Sequence, residues 1–315
     1  ATGAFKGKQA IALRIPEAAL FEEDATVTVR VGEHMWPEIG ERLEYLLNYP
    51  HGCVEQTTSS TLPLLAAREI FPRIGVDKHG EAFYRERILA GLERLDSMRT
   101  PSGGLGYWPG ETEPNVYGTA YAMRAVLRAD QAGIPLPAGL EEGMVRYLGA
   151  KVLSESTDPD VRAAIAQSLA EVGALPLGIV EALFELRQRM DLFGKASLAI
   201  ALGTMPEQRD RVATLLDEIE QAVAADGTTK VQHDGYHDWG SPRRTQAQAA
   251  MALSRLRRDS TRLPGLVREI AEEPGGYTTQ ATAYGLLALA DHLSTTPPDG
   301  APLSVKQQDV KFNGH

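Results

Sequence analysis

Twelve helical runs of two alternating kinds dominate this chain. Runs of the first kind are small and apolar on nearly every face, and they start near Cys53, Val116, Asp160, Phe193, Arg244 and Thr278. Runs of the second kind are amphipathic and charged, and they cover residues 39–47, 81–98, 140–153, 177–190, 207–225 and 266–272. A helix that is apolar on most faces is buried, whereas a helix with one charged face lies at the surface. Six alternations of outer and inner helices predict an all-α fold, an α/α toroid of six helical hairpins.

Both ends of the chain differ from this helical pattern. Residues 25–31 alternate between apolar and polar with β-branched side chains, and residues 9–15 do so in part, which predicts strands within 1–31. Two short strand-like runs follow the Pro-rich stretch 295–302. Because two or three strands do not make a domain, we expect 1–31 and 298–315 to belong to one host β-sandwich. The toroid, 32–297, would be inserted into that sandwich.

Charge and hydropathy exclude several classes of partner. The net charge of -10 argues against nucleic acid or an anionic membrane surface. No run is apolar long enough to span a bilayer. The chain begins without a signal peptide, and we interpret it as a piece of a longer protein.

The stretch Tyr-Pro-His-Gly-Cys-Val-Glu-Gln-Thr-Thr, residues 49–58, holds the only cysteine in 315 residues. A turn leads here into a helical run predicted over 57–70, which puts Cys53 and Gln56 at the helix start. Residues three apart on a helix share a face, and a helix N-terminus favours thiolate over thiol. The Cys53 thiolate can attack the Gln56 amide carbon and release ammonia, which closes an internal thioester. A glutamate would first need activation, so the pattern requires glutamine.

This stretch resembles the thioester motif of the alpha-2-macroglobulin and complement superfamily, which reads Gly-Cys-x-Glu-Gln. Gly52, Cys53, Glu55 and Gln56 match it, and Val54 with the preceding Tyr-Pro resembles the bacterial members. Two further segments carry the resemblance. Residues 103–110 with 119–121 are similar to the Gly-Gly-x-x-Tyr-Trp-Pro loop and following helix of bacterial alpha-2-macroglobulins, and 275–282 resembles the last inner helix of the complement thioester domain.

The resemblance implies a fold, a function and roles for particular residues. It implies a toroid inserted into a CUB-type sandwich, and a suicide trap for proteases rather than an enzyme. Cys53 would be the leaving thiol and Gln56 the acyl donor to lysine amines of the target protease. Tyr49 would exclude water from the bond, with Tyr107 and Trp108 as further cover.

The same resemblance implies which domains lie next to this one and where in the cell the protein acts. Neighbouring domains of the same protein would complete the shield around the bond. The location would be the periplasm, with a lipid anchor on the full protein as the one route to a membrane. No cofactor and no metal are implied.

Other interpretations of Cys53 stay open at this point. A lone cysteine often behaves as a buried small hydrophobe. It could also be the nucleophile of a toroid-fold enzyme, with His51, His233 or His237 as its base. A thioester domain could also serve a surface adhesin that attaches covalently to host molecules.

Some loops carry weaker candidates for chemistry. Residues 233–239, His-Asp-Gly-Tyr-His-Asp-Trp, have metal-ligand types, although a loop before an inner helix explains them as well. Residues 157–160 resemble an acidic motif but are typical of an N-cap turn. Carboxylates that could face each other across the toroid mouth, as a glycosidase needs, are Glu111, Glu113, Asp234 and Asp238.

Some complement thioester domains use a histidine to direct transfer to hydroxyl groups. The corresponding region by segment order, 154–160, contains no histidine. We therefore expect direct attack by amines.

Overall fold

The computed structural model describes residues 39–49, 52–74, 79–229, 239–272 and 278–295. Within these ranges the chain forms twelve α-helices, in the order α1 (Ile39–Leu47), α2 (Val54–Ile74), α3 (Gly80–Asp96), α4 (Val116–Gln131), α5 (Leu140–Leu153), α6 (Pro159–Glu171), α7 (Val180–Glu185), α8 (Leu192–Gly203), α9 (Arg209–Ala222), α10 (Pro242–Leu256), α11 (Leu263–Glu272) and α12 (Thr279–Thr295). Short 3₁₀ turns flank α7. The strands predicted for 1–31 and 298–315 lie outside the described residues, so those segments and the domain boundaries stay predictions.

The even-numbered helices form a closed ring. Each packs against the next, and α12 packs back against α2. Every odd-numbered helix lies across the joint between two ring helices, as α3 does between α2 and α4 and α5 between α4 and α6. The α/α toroid predicted from the alternation of helical runs is thereby confirmed.

Local capping signals fix where most inner helices begin. The side chains of Asn115, Asp158, Asp191 and Ser241 accept hydrogen bonds from backbone amides in the first turns of α4, α6, α8 and α10. Such caps satisfy amides that have no partner inside the helix. The acidic stretch 157–160 is therefore an N-cap turn, as its sequence indicated.

The inner helices are parallel and start at the same end of the toroid. Arg128 and Asp291 form an ion pair across the ring at 3.4 Å, and they lie equally far from the starts of α4 and α12. Because α2 belongs to the same ring, Cys53 lies at the end where all the inner helices begin. This end is called the mouth below.

The centre of the ring is filled by aromatic side chains and a buried arginine. Tyr117 of α4 reaches across to Tyr284 of α12, with 3.3 Å between the two hydroxyl oxygens. Arg244 of α10 donates from Nη1 to the Tyr117 hydroxyl at 3.1 Å, and its guanidinium lies 3.7 Å from the centre of the Phe193 ring. Arg244 is fully buried. The cation is thus held between the faces and hydroxyls of aromatic side chains.

Small residues of the inner helices are buried as well. They are Ala163, Ala166, Ala199, Ala249 and Ala283. Their size lets the inner helices approach closely, but it leaves space in the middle that the aromatic side chains occupy. None of the helices in the described residues is long and apolar enough to cross a membrane.

Candidate functional site: the Cys53–Gln56 helix start

Cys53 and Gln56 meet at the first turn of α2. The side-chain oxygen Oε1 of Gln56 accepts a hydrogen bond from the backbone amide of Cys53 at 3.3 Å. Cys53 is the N-cap residue and Gln56 the third helical residue, which is the spacing of a capping box. For this reason α2 begins at Val54, earlier than the predicted Thr57. Cys53 is 0% exposed although it lies at the mouth, and Gln56 is half-buried.

The backbone on both sides of Cys53 is tied to residues far away in the sequence. Arg94, in the last turn of α3, donates from Nε and Nη2 to the Gly52 carbonyl oxygen at 3.2 and 3.1 Å. The amide of Val54 donates to the Tyr107 carbonyl oxygen at 3.0 Å. These two contacts fix the peptides before and after the cysteine.

The motif residue Glu55 joins the first inner helix to the last. Its carboxylate accepts hydrogen bonds from Ser59 at 2.7 Å and from Thr279 at 2.8 Å. Thr279 is the first residue of α12, so the bond closes the ring at the mouth. Burial raises the pKa of Glu55, and the hydrogen bonds from Ser59 and Thr279 oppose that rise. Ser59 in turn lies 3.1 Å from the Tyr121 hydroxyl. Glu55 therefore couples the helix start to the aromatic centre.

Tyr107 and Trp108 lie on the loop that leads into α4, beside the cysteine. The ring of Tyr107 packs against Trp108 at 5.7 Å and Trp239 at 5.8 Å between centroids. The neighbouring Cys53 side chain, followed by burial, raises the pKa of Tyr107. Trp108 is 41% exposed. Tyr107 thus contacts the start of α2 through its main chain, whereas Trp108 lies at the rim.

Tyr49, the residue predicted to cover the sulfur, is half-buried. Its ring lies 5.7 Å from that of Tyr45 in an edge-on arrangement, and burial, followed by the neighbouring Tyr49 and Glu55, raises the pKa of Tyr45. These neighbours keep Tyr49 near the motif. Its role as a shield stays a prediction.

The histidines and carboxylates of the loops were weaker candidates for chemistry. His51, His233, His237, Asp234 and Asp238 lie outside the described residues, so the general-base and metal-site interpretations are not tested. Among the residues that are described, no group of three or more His, Cys, Asp or Glu side chains could hold a metal ion. Glu111 accepts a hydrogen bond from the Tyr107 amide at 2.7 Å, which ties the loop together. Glu113 is exposed.

Three residues of this site could not be identified from the sequence. Arg94 and Thr279 bond the motif from α3 and α12, and Trp239 packs on Tyr107. Trp239 has a backbone φ of 53°, a conformation that is uncommon for a residue with a side chain. Gly118 allows its approach, because a Cβ there would lie 3.2 Å from the Trp239 ring and 2.7 Å from a Val54 methyl group. Thr279 and Trp239 lie in segments that the sequence singled out, 275–282 and 233–239, but no local pattern predicts the contacts that any of the three residues makes here.

The fold and the site together define a class of protein: an α/α toroid that carries Gly-Cys-x-Glu-Gln at the start of its first inner helix. The relatives of the chain are bacterial alpha-2-macroglobulins, which confirms the resemblance found in the motif. A homologue from Nostoc is 25% identical over 249 residues, which cover 70% of this chain. The match spans 13% of that relative, and 7% of one from Escherichia coli. No family model matches the chain.

Solved alpha-2-macroglobulins share this fold. The E. coli protein from domain MG7 to the C-terminus superposes with a TM-score of 0.68 at 22% identity, covering 80% of this chain and 42% of that one. A Salmonella alpha-2-macroglobulin that had reacted with methylamine gives a TM-score of 0.69 at 25% identity, covering 81% of this chain and 17% of that one. The chain thus spans only a part of the length of the relatives and structures that it matches.

Proposed function

We propose that this chain is the thioester domain of a bacterial alpha-2-macroglobulin and that it traps proteases covalently. One observation carries the proposal: the Gln56 carboxamide is bonded to the Cys53 amide at 3.3 Å, at a buried helix start in a toroid related to these inhibitors. The two reacting side chains share one helical turn, so closing the bond requires only local rotations.

The chemistry takes place in two steps. First, the Cys53 thiol gives up its proton and the thiolate attacks the side-chain carbonyl carbon of Gln56; the carbon–nitrogen bond breaks, the nitrogen takes up a proton and leaves as ammonia, and the thioester closes. Later, an amine of the target attacks the same carbon, the carbon–sulfur bond breaks, and the electron pair returns to sulfur. The product is an amide between Gln56 and the target. Each molecule reacts once, so the chain would be a stoichiometric inhibitor rather than an enzyme.

The relatives support proteases as partners. E. coli alpha-2-macroglobulin has been solved after activation by porcine elastase, in a structure 23% identical to this chain. We extend that partner class to this chain, with lysine amines as the attacking groups and the periplasm as the location.

Intact mass and thiol titration of the full-length protein test the proposal. Freshly purified protein should weigh one ammonia less than its sequence and should release one thiol when methylamine is added. Gln56→Glu is the matched control, because its carboxylate does not close the bond and its thiol should be free from the start. Full mass together with a free thiol in fresh native protein would refute the thioester.

Covalent trapping is then tested separately. The full-length protein is incubated with trypsin or elastase, and a protease adduct that survives denaturation is expected. The adduct should be absent from Gln56→Glu and from protein treated beforehand with methylamine. An intact thioester without any adduct would leave the bond standing and overturn the protease trap.

A further inference from the structure

The peptide bond between Gly52 and Cys53 connects Arg94 to the side chain of Gln56. Its carbonyl oxygen accepts hydrogen bonds from Nε and Nη2 of Arg94 at 3.2 and 3.1 Å. Its N–H, which belongs to Cys53, donates to Oε1 of Gln56 at 3.3 Å. A guanidinium, a peptide and a carboxamide are therefore hydrogen-bonded in one row, and this row ends on the carbonyl group that the proposed chemistry attacks.

The positive charge of Arg94 acts on this peptide. Arg94 lies in the last turn of α3, and within the described residues its guanidinium makes no ion pair with a carboxylate. Two hydrogen bonds from one planar guanidinium hold the carbonyl group in a fixed orientation. Hydrogen bonds in a row also polarise one another. The Cys53 N–H is therefore a strengthened donor whose direction is fixed.

We propose that the Cys53 N–H is the oxyanion donor of the acyl transfer and that Arg94 is its positioning residue. The inference rests on the proposed function and deepens it. When the thiolate attacks the Gln56 carbonyl carbon, an electron pair moves onto Oε1, which becomes an oxyanion. The Cys53 N–H already bonds this oxygen and stabilises the charge. The carbonyl then re-forms, the carbon–nitrogen bond breaks, and ammonia leaves with the proton that the thiol gave up.

The same oxygen carries the charge when the thioester is opened. An amine attacks the same carbon, the carbon–sulfur bond breaks with its electron pair going to Sγ, and the proton from nitrogen ends on the thiol. Removing an oxyanion donor outright costs about 10²–10³-fold in rate. Arg94→Met keeps the donor but loosens its position, so we expect a smaller loss of about tenfold.

A purely structural role for Arg94 predicts a different result. If Arg94 only held the turn together, its loss would expose the thioester and speed the attack of water and amines. If Arg94 orients an oxyanion donor, its loss slows both closure and opening. The two roles also leave different residues at position 56. Glutamine remains where the bond never closed, whereas glutamate is found where a closed bond was hydrolysed.

The first measurement is the rate of thiol release by methylamine in the full-length protein, per closed thioester. Arg94→Met should release the thiol about tenfold more slowly than the native protein, the reduced effect expected for a loosened oxyanion donor. Arg85→Met is the matched control, because it removes an exposed positive charge from the same helix, and it should keep the native rate. Release from Arg94→Met as fast as from the control, or faster, would overturn the proposal.

Two further comparisons separate this role from a change in access or in fold. The ratio of the rates with methylamine and with a bulkier amine should be the same in Arg94→Met and the native protein, since the donor acts on the carbonyl group. A changed ratio would assign the effect to access and overturn the proposal. Arg94→Lys keeps a cation with fewer donors and should show an intermediate rate. It carries the comparison if the melting temperature of Arg94→Met shows a damaged fold.

Peptide mapping of freshly purified protein is the second measurement. Any free Cys53 thiol in Arg94→Met should be accompanied by glutamine at position 56, because slow closure leaves the pair unreacted. Glutamate at that position would show loss of shielding and would overturn the proposal. A native protein of full mass with a free thiol would instead remove the proposed function and this inference together. Equal release from Arg94→Met and Arg85→Met, in a protein that has the thioester, would remove only the role of Arg94.

Discussion

The Gln56 carboxamide oxygen caps the helix that begins at Cys53, through a hydrogen bond of 3.3 Å to the Cys53 amide. The spacing required to close a thioester is thus also the spacing of a capping box. In the proposed thioester chemistry, this helix start would hold the acyl donor next to the nucleophile before any covalent bond exists. One local geometry serves both folding and chemistry.

The first prediction concerns this cap in the absence of the thioester. In a Cys53→Ala background, Gln56→Ala should lower the free energy of unfolding by about 0.5–2 kcal/mol, because it removes a cap. In the same background, Gln56→Glu should have a free energy of unfolding equal to or slightly above that of Cys53→Ala, because a carboxylate is favoured at a helix N-terminus. Denaturant unfolding of the three proteins gives the order. Equal stability of all three would show that the hydrogen bond contributes nothing.

The second prediction concerns Glu55, which accepts a hydrogen bond from Thr279 and so connects the first inner helix, α2, to the last, α12. Glu55→Ala should lower the free energy of unfolding by about 1.5–3 kcal/mol, since it removes hydrogen bonds to a partly buried charge. Glu55→Gln retains an acceptor and should cost less. Glu86→Ala, on the exposed face of α3, is the control and should change little. If Glu55→Ala had the same free energy of unfolding as Glu86→Ala, helix packing alone would hold α2 and α12 together.

The third prediction is a pH dependence at the start of α6. Burial, followed by the nearby charge and hydrogen bond of Asp191, raises the pKa of Asp160 to about 8. Oδ1 of Asp160 accepts from the Asp191 amide at 3.0 Å. The folded chain holds a proton that the unfolded chain releases near the usual value of 3.8, so this contribution to stability is present at low pH. It decreases as pH rises, and it is lost as pH passes about 8.

Asp160→Asn tests this dependence, because asparagine stays neutral and keeps an acceptor for the Asp191 amide. The melting temperature at pH 8.5 should rise by roughly 2–4 °C, the shift that corresponds to about 1 kcal/mol in a domain of this size. Little change is expected at pH 4. Asp259→Asn, at an exposed position, controls for the general effect of net charge. A variant with the same pH profile as the native protein would contradict the raised pKa of Asp160.

The fourth prediction concerns the lifetime of the thioester. Water hydrolyses a thioester, so its survival depends on exclusion of water. In the full-length protein, Tyr49→Ala should release the Cys53 thiol faster than the native protein, with little change in melting temperature. Tyr49→Phe keeps the ring and should behave like the native protein. Unchanged release from Tyr49→Ala would mean that other groups shield the bond.

The sequence by itself determined the helices and the proximity of Cys53 and Gln56. Alternation of apolar and amphipathic runs is a periodic, local property, so it located the six hairpins without tertiary information. Cys53 and Gln56 were identified for the same reason, because their relationship spans one turn of one helix. The predicted start of the helical run at Thr57 is too late, because Gln56 caps the helix from Cys53 and the helix begins at Val54.

Only the tertiary structure decided what surrounds that pair. Arg94, Tyr107, Trp239 and Thr279 reach the Cys53 turn from α3, two loops and α12, and closure of the ring brings them together. Small residues along the inner helices predicted close packing, but not that Arg244 would lie buried among the rings of Tyr117 and Phe193. A contact between residues far apart in the chain depends on how whole helices pack, and the pattern within each helix does not contain that information.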